Sequence, residues 1–488
     1  MYGRFWTDCG SSAIICSMRQ FQSENLCHDP IHGYIPFTSP AGLPQQEVSE
    51  REIIDHPWLQ RLRQIHQLQT AWWVYPTAEH TRFQHVLGVM HLASRAISSL
   101  EASLREVCQG AGEEVPSRGY LETLLRMAGL LHDVGHGPFG HFFDEHLLAD
   151  YGLTHETLGG VIIRQELGDL LRRIRRNPHS QLAAGEQLDP DQIAWLITRP
   201  GPNDAEGHPR WLVFLRSLLS GIYTIDNMDF VLRDAFMSGY NPRVFDLDRL
   251  LHYSFFSERG LTIYDRGIDA LVRFMSVRAE LFRTIYFHRT VRALDLTLTD
   301  LFIDSKPYLF PGNPLERLDQ YQRLTEWSLL VDVARWEQEA DDPRQRQLGK
   351  RWRAFLARQI PWKMACQRNL VFAAGDAEQS SIFSEPSLVE QKLRGQLPPQ
   401  LAEIPLRIDI PRHMYRPHTH GPAAGQNFLY DSAHGSVRPL VDNQLFRQLP
   451  ISYRICRIYA QSLDHAKPLA RALDALLGPG GSDDLTNM

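Results

Sequence analysis

The chain reads as mainly α, with a large helical core followed by a smaller mixed α+β lobe towards the C-terminus. Three observations predict this. From about residue 50 to Asp304, apolar residues recur three and four apart, as in Leu271, Phe274, Leu281 and Ile285. Pro307, Pro311 and Pro314 then interrupt the pattern. Beyond Cys366 the chain turns to short extended runs among Pro/Gly loops. On this reading residues 1–27 are a loose N-terminal arm, 28–306 the core, 307–478 the C-terminal lobe and 479–488 a disordered tail.

In order, IHGYIPF is a short extended pair. A helix from about Glu50 carries Ile54, Trp58, Leu62 and Ile65 on one face. AWWVYP, Ala71 to Pro76, is a packed loop or short strand. Helices are expected near 82–106, 120–132, 156–172, 190–198, 211–238 with a break, and 247–256. A strand is expected at Gly260 to Asp265, then a long helix from Gly267 to Asp304, then charged helices to 365. Strands follow near 369–374, 405–410, 427–431, 437–442 and 453–460, and a last helix near 465–477.

With 488 residues, 43% hydrophobic and 22% charged, the composition is that of a globular protein with a large core. A net charge of −6 argues against a constitutive nucleic-acid coat, though a local basic groove stays open. No run is long and apolar enough to span a bilayer. The start, MYGRFWTDCGSSAIIC, lacks the basic head and apolar core of a signal peptide. Six scattered cysteines without a C-x-x-C imply a reducing compartment and no cysteine metal site. Together these place the protein in the cytoplasm.

The stretch richest in chemistry is LLHDVGHGPFGHFFDEH, Leu130 to His146. An apolar helix ends in His132 and Asp133, and His136 and His141 follow among glycines that let backbone approach closely. Upstream, His85 opens the amphipathic run Val86, Leu87, Met90, Ala93. Downstream, GIYTIDNMDFVLRDAF carries Asp226, Asp229 and Asp234. A His, a His-Asp pair and a distant Asp therefore lie on three separate expected helices. Imidazole and carboxylate ligands together suit zinc, iron or manganese.

This H…HD…D order, with DPIHGYI, QRLRQIHQL, HTRFQHVLGV, LLHDVGHGPFGH, LTHE and IDNMDFVLRD, resembles the HD-domain deoxynucleoside triphosphate triphosphohydrolases, the mammalian SAM-and-HD-domain members and their bacterial relatives. The likeness runs from about Asp29 to Asp304 and weakens beyond; RICRIYAQSLDHAKPLARAL resembles the end of that family's C-terminal lobe.

The resemblance implies an HD helical core and metal-dependent hydrolysis of dNTPs to deoxynucleoside and triphosphate, with Mg accompanying the nucleotide. His85, His132, Asp133 and Asp226 would be metal ligands, and two histidines with two carboxylates leave coordination positions open. His141 resembles the general acid, Asp144 is placed to orient it, and His136 and His155 resemble residues of the phosphate path. Arg82 and Arg278 suit phosphate oxygens. Gln67 and Asp234 match residues that hold the 3′-hydroxyl, and Tyr286 the tyrosine beneath the deoxyribose. Asn227, Phe230 and Phe282 depart from the mammalian pattern, standing where lysine, tyrosine and histidine are expected. Asp55, Gln60 and Arg63 match the residues that hold an activating guanine nucleotide, although that pocket's lysine has no counterpart. A homo-oligomer, dimer or tetramer, is the implied assembly, with arm residues 1–27 available for subunit contacts.

Plainer readings stand beside these. Asp144 can cap a helix, Arg82 can form a surface ion pair, and His155 can help Thr154 start a helix. Asp229, His252 and His288 read as structural, and Tyr286 as a core residue. Asp55, Gln60 and Arg63 can be an exposed helix face, and Arg172 to Arg176 a solvated one rather than a nucleic-acid contact. At the level of function the alternatives are an HD hydrolase of another nucleotide phosphoester, or a nucleotide-sensing or nucleic-acid-binding HD protein with little turnover.

Overall fold

The computed structural model describes residues 23–199, 201, 204–241, 244–372, 382–414, 427–449 and 452–477. The expected tail and most of the expected arm lie outside these residues. Regular structure begins within the remainder of the arm. Strand β1 (Glu24–Asp29) pairs antiparallel with β2 (Gly33–Thr38). Their turn is held by Asp29 Oδ1, which accepts from the backbones of Ile31 and His32, both at 2.9 Å.

The helix expected from Glu50 is three short pieces: α1 (Glu50–Ile54), α2 (Pro57–Gln60) and a 3₁₀ turn, Arg61–Gln64. Pro57 is the cause. It offers no N–H and drives His56 out of the helical region, so a new helix starts at the proline. Ile54, Trp58, Leu62 and Ile65 are nonetheless all buried. Ala71–Trp73 is a further 3₁₀ turn rather than a strand.

Helix α3 (Arg82–Gly110) packs along α4 (Arg118–Leu131), whose residues from Gly119 onward are all buried. Then come α5 (His141–His146), α6 (His155–Gln165), α7 (Gly168–Arg172), α8 (Pro190–Ile197) and α9 (Arg210–Arg216). Helix α10 (Ile225–Met237) lies back against α3. Helix α11 (Leu247–His252) is shorter than expected, because Ser254–Ser257 alternates inward and outward as strand β3 and pairs with β4 (Gly260–Tyr264). The long pattern that follows is not one helix: α12 (Ile268–Leu281) passes through a π turn, Phe282–Tyr286, into α13 (Arg289–Leu309). Extra residues wound into a π turn re-aim a side chain, here Tyr286.

Pro307 does not end α13; the ladder resumes where Phe310 N–H donates to the Lys306 carbonyl. Nor does packing break there. Helices α14 (Leu318–Arg323), α15 (Glu326–Glu339) and α16 (Pro343–Leu356) contribute Tyr321, Trp336, Trp352 and Phe355 to the same core that holds Trp58 and Phe143. The lobe that follows runs β5 (Lys363–Phe372), α17 (Pro386–Arg394), β6 (Leu406–Asp409), β7 (Arg412–Met414), β8 (Asn427–Asp431), β9 (Ser436–Pro439), α18 (Gln444–Gln448), β10 (Ser452–Ala460) and α19 (Ala466–Leu477). The wholly buried β10 sits between β5 and β6, with α17 and α19 packed on that sheet in a second apolar core. Strand β8 instead runs parallel to β4, so the C-terminal segment rejoins the helical core.

One buried ion pair ties the start of the core together. Arg126 of α4 donates to both oxygens of Glu50, at 2.6 and 2.8 Å, and also to Ser94 Oγ and the Pro36 carbonyl. Neither charged side chain has any solvent exposure. Arg126→Met strands the Glu50 carboxylate and is expected to cost about 3–5 kcal/mol, read from urea unfolding, whereas adding Glu50→Met should recover part of that loss.

Candidate active site

Three helices bring the H…HD…D residues together. His85 lies in the first turn of α3, His132 and Asp133 follow the end of α4, and Asp226 lies in the first turn of α10. His85 Nε2 is 3.3 Å from His132 Nε2 and 3.1 Å from Asp226 Oδ1. His132 Nε2 is 3.3 Å from Asp133 Oδ1 and 3.7 Å from Asp226 Oδ1. Helix α10 starts where it does because Thr224 caps it, accepting from the Asn227 N–H at 3.1 Å.

The chemistry of this donor set fits a divalent cation. His85 Nδ1 is taken by Asp229 at 2.8 Å, and His132 Nδ1 by the Gly129 carbonyl at 2.9 Å. In the neutral rings both Nδ1–H groups are committed, so each Nε2 offers a lone pair; His85, His132 and Asp226 converge as one group, and Asp133 Oδ1 adjoins it beside His132 Nε2. Burial disfavours a charged His85, yet its hydrogen bonds to Asp226 and Asp229 push its pKa up to about 10.

Asp229 is more than a core residue. Fully buried, it also accepts from His32 Nε2 at 2.6 Å and from Arg233 at 2.9 Å on each oxygen, while Arg233 reaches Asp29 at 2.7 Å. Gly88 makes room for it: a Cβ there would lie 1.9 Å from Asp229 Oδ1. Sequence reading passed over His32, although DPIHG sets it at a turn next to Asp29. Arg82 is not at the surface either. Its Nη1 donates to Asp133 Oδ2 at 2.6 Å in a buried pair. Burial would raise the Asp133 pKa, but His132 and Arg82 hold it well below the usual carboxylate range.

A second group adjoins the first. His136 Nε2 is 3.4 Å from Asp133 Oδ1. The His136 ring stacks on His155 with centroids 3.7 Å apart and lies 4.8 Å from His141. Gly135 permits this approach, since a Cβ there would meet the His155 carbonyl at 2.0 Å. Asp144 bonds His155 Nδ1 and lies 3.5 Å from His141 Nδ1, so it serves His155 more closely than the His141 it was expected to orient. Asp144 also belongs to the first turn of α5, and His155 to the start of α6, so their helix positions do not compete with these contacts. Burial and then the neighbouring His136 push the His155 pKa down to about 3. His141 alone opens to solvent, its side chain 72% exposed.

A third group gathers around Asp234. Asp234 accepts from His80 Nε2 at 2.8 Å and from the Tyr286 hydroxyl. The Gln67 N–H bonds the His80 carbonyl at 3.0 Å, while Gln67 Oε1 is buried with no partner. His80 was missed in the sequence, where nothing separates it from an ordinary loop histidine. Arg278 donates to the Ile222 carbonyl at 3.2 Å, and burial lowers its pKa to about 10. Phe282 packs on Tyr286 with centroids 4.6 Å apart, and Asn227 and Phe230 are half-buried on α10.

Asp55, Gln60 and Arg63 stand apart, around α2 and its 3₁₀ turn. Asp55 pairs with Arg51 at 3.1 Å, Arg63 donates to Gln60 Oε1 at 2.8 Å, and the Arg63 guanidinium covers Phe83 at 3.6 Å. Asp55 and Arg63 are exposed. The arginines of 172–176 are engaged locally, Arg176 with Glu47 at 2.8 Å and Arg173 with the Gln46 carbonyl at 3.0 Å. His288 caps α13, accepting from Thr290 N–H at 3.3 Å. No helix among the described residues is long and apolar enough to cross a membrane.

Residues 82–197 match the HD domain family. An HD domain thus occupies part of the chain. It is 27% identical over 414 residues to the uncharacterized protein YwfO of Bacillus subtilis, covering 82% of this chain and 83% of that one. It is 25% identical over 483 residues to the human deoxynucleoside triphosphate triphosphohydrolase SAMHD1, covering 90% of this chain and 71% of that one. A crystal structure of a hypothetical protein from Aquifex aeolicus superimposes with a TM-score of 0.63 at 22% identity, covering 92% of this chain and all of that one, which shows a shared fold. The HD domain thus spans α3 to α8 and supplies His85, His132 and Asp133, while Asp226 comes from beyond it.

If the first group holds the cation, Asp226→Ala or His132→Ala should abolish retention of transition metal. Asp229→Asn should keep it but release it about 10- to 100-fold more readily to a chelator, because His85 loses its orienting partner. Elemental analysis after dialysis against graded chelator checks both.

Proposed function

We propose that this HD-domain protein is a metal-dependent phosphohydrolase that converts dNTPs to deoxynucleoside and triphosphate. The observation that carries the reading is the adjacency of the two groups, His136 of the second lying 3.4 Å from Asp133 of the first. A cation at His85, His132, Asp133 and Asp226 would neutralise phosphoryl oxygens and acidify a water. The chain's own residues do the rest. Water oxygen bonds to the α-phosphorus as its bond to O5′ breaks, and the exposed His141 delivers a proton to O5′ as the deoxynucleoside leaves. His136, His155 and Asp144 line the path of the triphosphate, with Arg278 at its side and Arg82 holding Asp133 in place. Mg would accompany the nucleotide.

On the sugar side, the unpartnered Gln67 Oε1 and the Asp234 carboxylate suit the 3′-hydroxyl, and the Tyr286 ring fills the space a 2′-hydroxyl needs. Asp55, Gln60 and Arg63 supply a carboxylate, an amide and a guanidinium, a set whose chemistry suits a guanine nucleotide acting on a homo-oligomer, dimer or tetramer. A second reading, hydrolysis of another nucleotide phosphoester, is favoured by Asn227, Phe230 and Phe282. Two of these departures remove groups that would bind phosphate, each lost charged or polar contact being worth roughly 1–3 kcal/mol. An HD protein that only senses nucleotides or binds nucleic acid is disfavoured by the convergence of His85, His132 and Asp226 and by the engaged arginines of 172–176.

Product analysis by chromatography on a mixture of nucleotides, with manganese, iron or magnesium supplied, tests the reading. Deoxynucleoside and intact triphosphate in equal amounts are expected. Orthophosphate, pyrophosphate or turnover of monophosphates alone would move the assignment to the second reading. In kcat/KM, dATP should exceed ATP by roughly ten- to hundredfold, and Tyr286→Ala should erase that ratio. Sizing with and without GTP checks the regulatory face; a monomer with unchanged kinetics would remove it.

A further inference from the structure

His136 is fully buried, and neither of its ring nitrogens has a hydrogen-bond partner in the protein. Beyond the long contacts of its Nε2 with Asp133 Oδ1 at 3.4 Å and its Nδ1 with Asp144 Oδ1 at 3.7 Å, its ring is placed by its stack on His155 and by the backbone that carries it. That backbone is gripped from outside the HD domain. Arg61 Nη1 donates to the His136 carbonyl at 2.7 Å and to the Val134 carbonyl at 3.3 Å. Between them, the Tyr321 hydroxyl donates to the Gly135 carbonyl at 2.8 Å. Three successive carbonyls, directly after Asp133, are thus held by two side chains.

The two side chains also hold each other. The Arg61 guanidinium lies over the Tyr321 ring, 4.9 Å from its centroid. Its remaining donors reach the carbonyls of Gln322 at 3.2 Å, Tyr321 at 3.4 Å and Leu324 at 2.7 Å. Every acceptor of Arg61 given by the structure is a backbone carbonyl, and burial lowers its pKa. A guanidinium kept from water without a carboxylate is costly, and only its planar fork can span carbonyls on two segments at once. A lysine ammonium, with three donors at one point, cannot reach all of these carbonyls.

We propose that Arg61 and Tyr321 are positioning residues for the HD site, a clamp on residues 134–136 that sets where the His136 ring stands. The inference rests on the reading of this site as hydrolytic. Placement of a reacting group matters steeply, a shift of about 1 Å costing up to roughly a hundredfold in rate. The clamp predicts that loosening it lowers turnover without loosening the cation or the substrate.

Tyr321→Phe removes one hydroxyl and keeps the ring beneath Arg61. In the full-length protein, assayed with dATP, dGTP, dCTP and dTTP, it should keep its metal content, melting temperature and KM while kcat falls about 10- to 100-fold. An unchanged kcat overturns the clamp. So does a fall in kcat accompanied by metal loss or a raised KM, which would make Tyr321 a residue of general stability. Arg61→Lys should fall between wild type and Arg61→Met in kcat; a lysine variant equal to wild type overturns the role of the fork. A crystal structure of Tyr321→Phe decides independently of turnover. The His136 ring should be displaced with His85, His132 and Asp226 unmoved, and an unmoved His136 overturns the clamp. Should the wild type hydrolyse none of the four dNTPs, the proposed substrate fails, while the crystal structure still decides the clamp.

Discussion

Asp229 is a carboxylate sealed from solvent, and His85, His32 and Arg233 all converge on its two oxygens. A buried charge of this kind persists only when every lone pair is engaged, and each donor comes from a different part of the fold. His85 belongs to α3, Arg233 to α10 itself, and His32 to the β1–β2 turn, where Asp29 anchors Arg233 in return. The approach of α3 to α10 hangs on this node, and so does the direction of His85 Nε2. The inward-facing ligand group is its outer consequence.

The same logic grades the histidines by environment. His85 sits between two carboxylates and is pushed towards carrying charge. His155, crowded by His136 and buried, is pushed away from it although Asp144 touches its ring. His141 faces open solvent, on the first turn of α5. Rings of one chemical type are thus given different proton affinities by desolvation and neighbours.

The C-terminal lobe is bound to this centre by polar as well as apolar links. Arg292 of α13 bonds Asp409 of β6 at 2.7 Å and Asp295 at 3.0 Å. Asp295 accepts in turn from Gln69 at 2.9 Å and Thr70 at 2.6 Å, just beyond Gln67. Gln69 adopts a positive φ of 50°, unusual outside glycine, and these side-chain bonds hold it there. The strap bearing Gln67 is thereby tied to both lobes.

Much of the helical core was legible in the sequence, because burial on one face imposes a period that a single chain displays. The H…HD…D order named His85, His132, Asp133 and Asp226, which the fold brings near one another, because the pattern is one of residue types. Local interruptions were less legible: Pro57 marked its break in plain view, whereas the π turn at Phe282–Tyr286 has no letter that announces it. Strand β3 was hidden because it is only four residues long and directly follows a helix, and pairing is a property of two segments. For the same reason the roles of His32, His80 and Arg61 escaped notice. Nothing adjacent to them in the chain touches them in the way that matters. What the sequence determined by itself was which side chains have the chemistry and which faces are apolar, for both are written residue by residue. The tertiary structure alone decided that Arg82 pairs inward with Asp133, that Asp144 turns to His155 and that Tyr321 reaches Gly135, because hydrogen bonds and buried charges depend on distances between segments far apart along the chain.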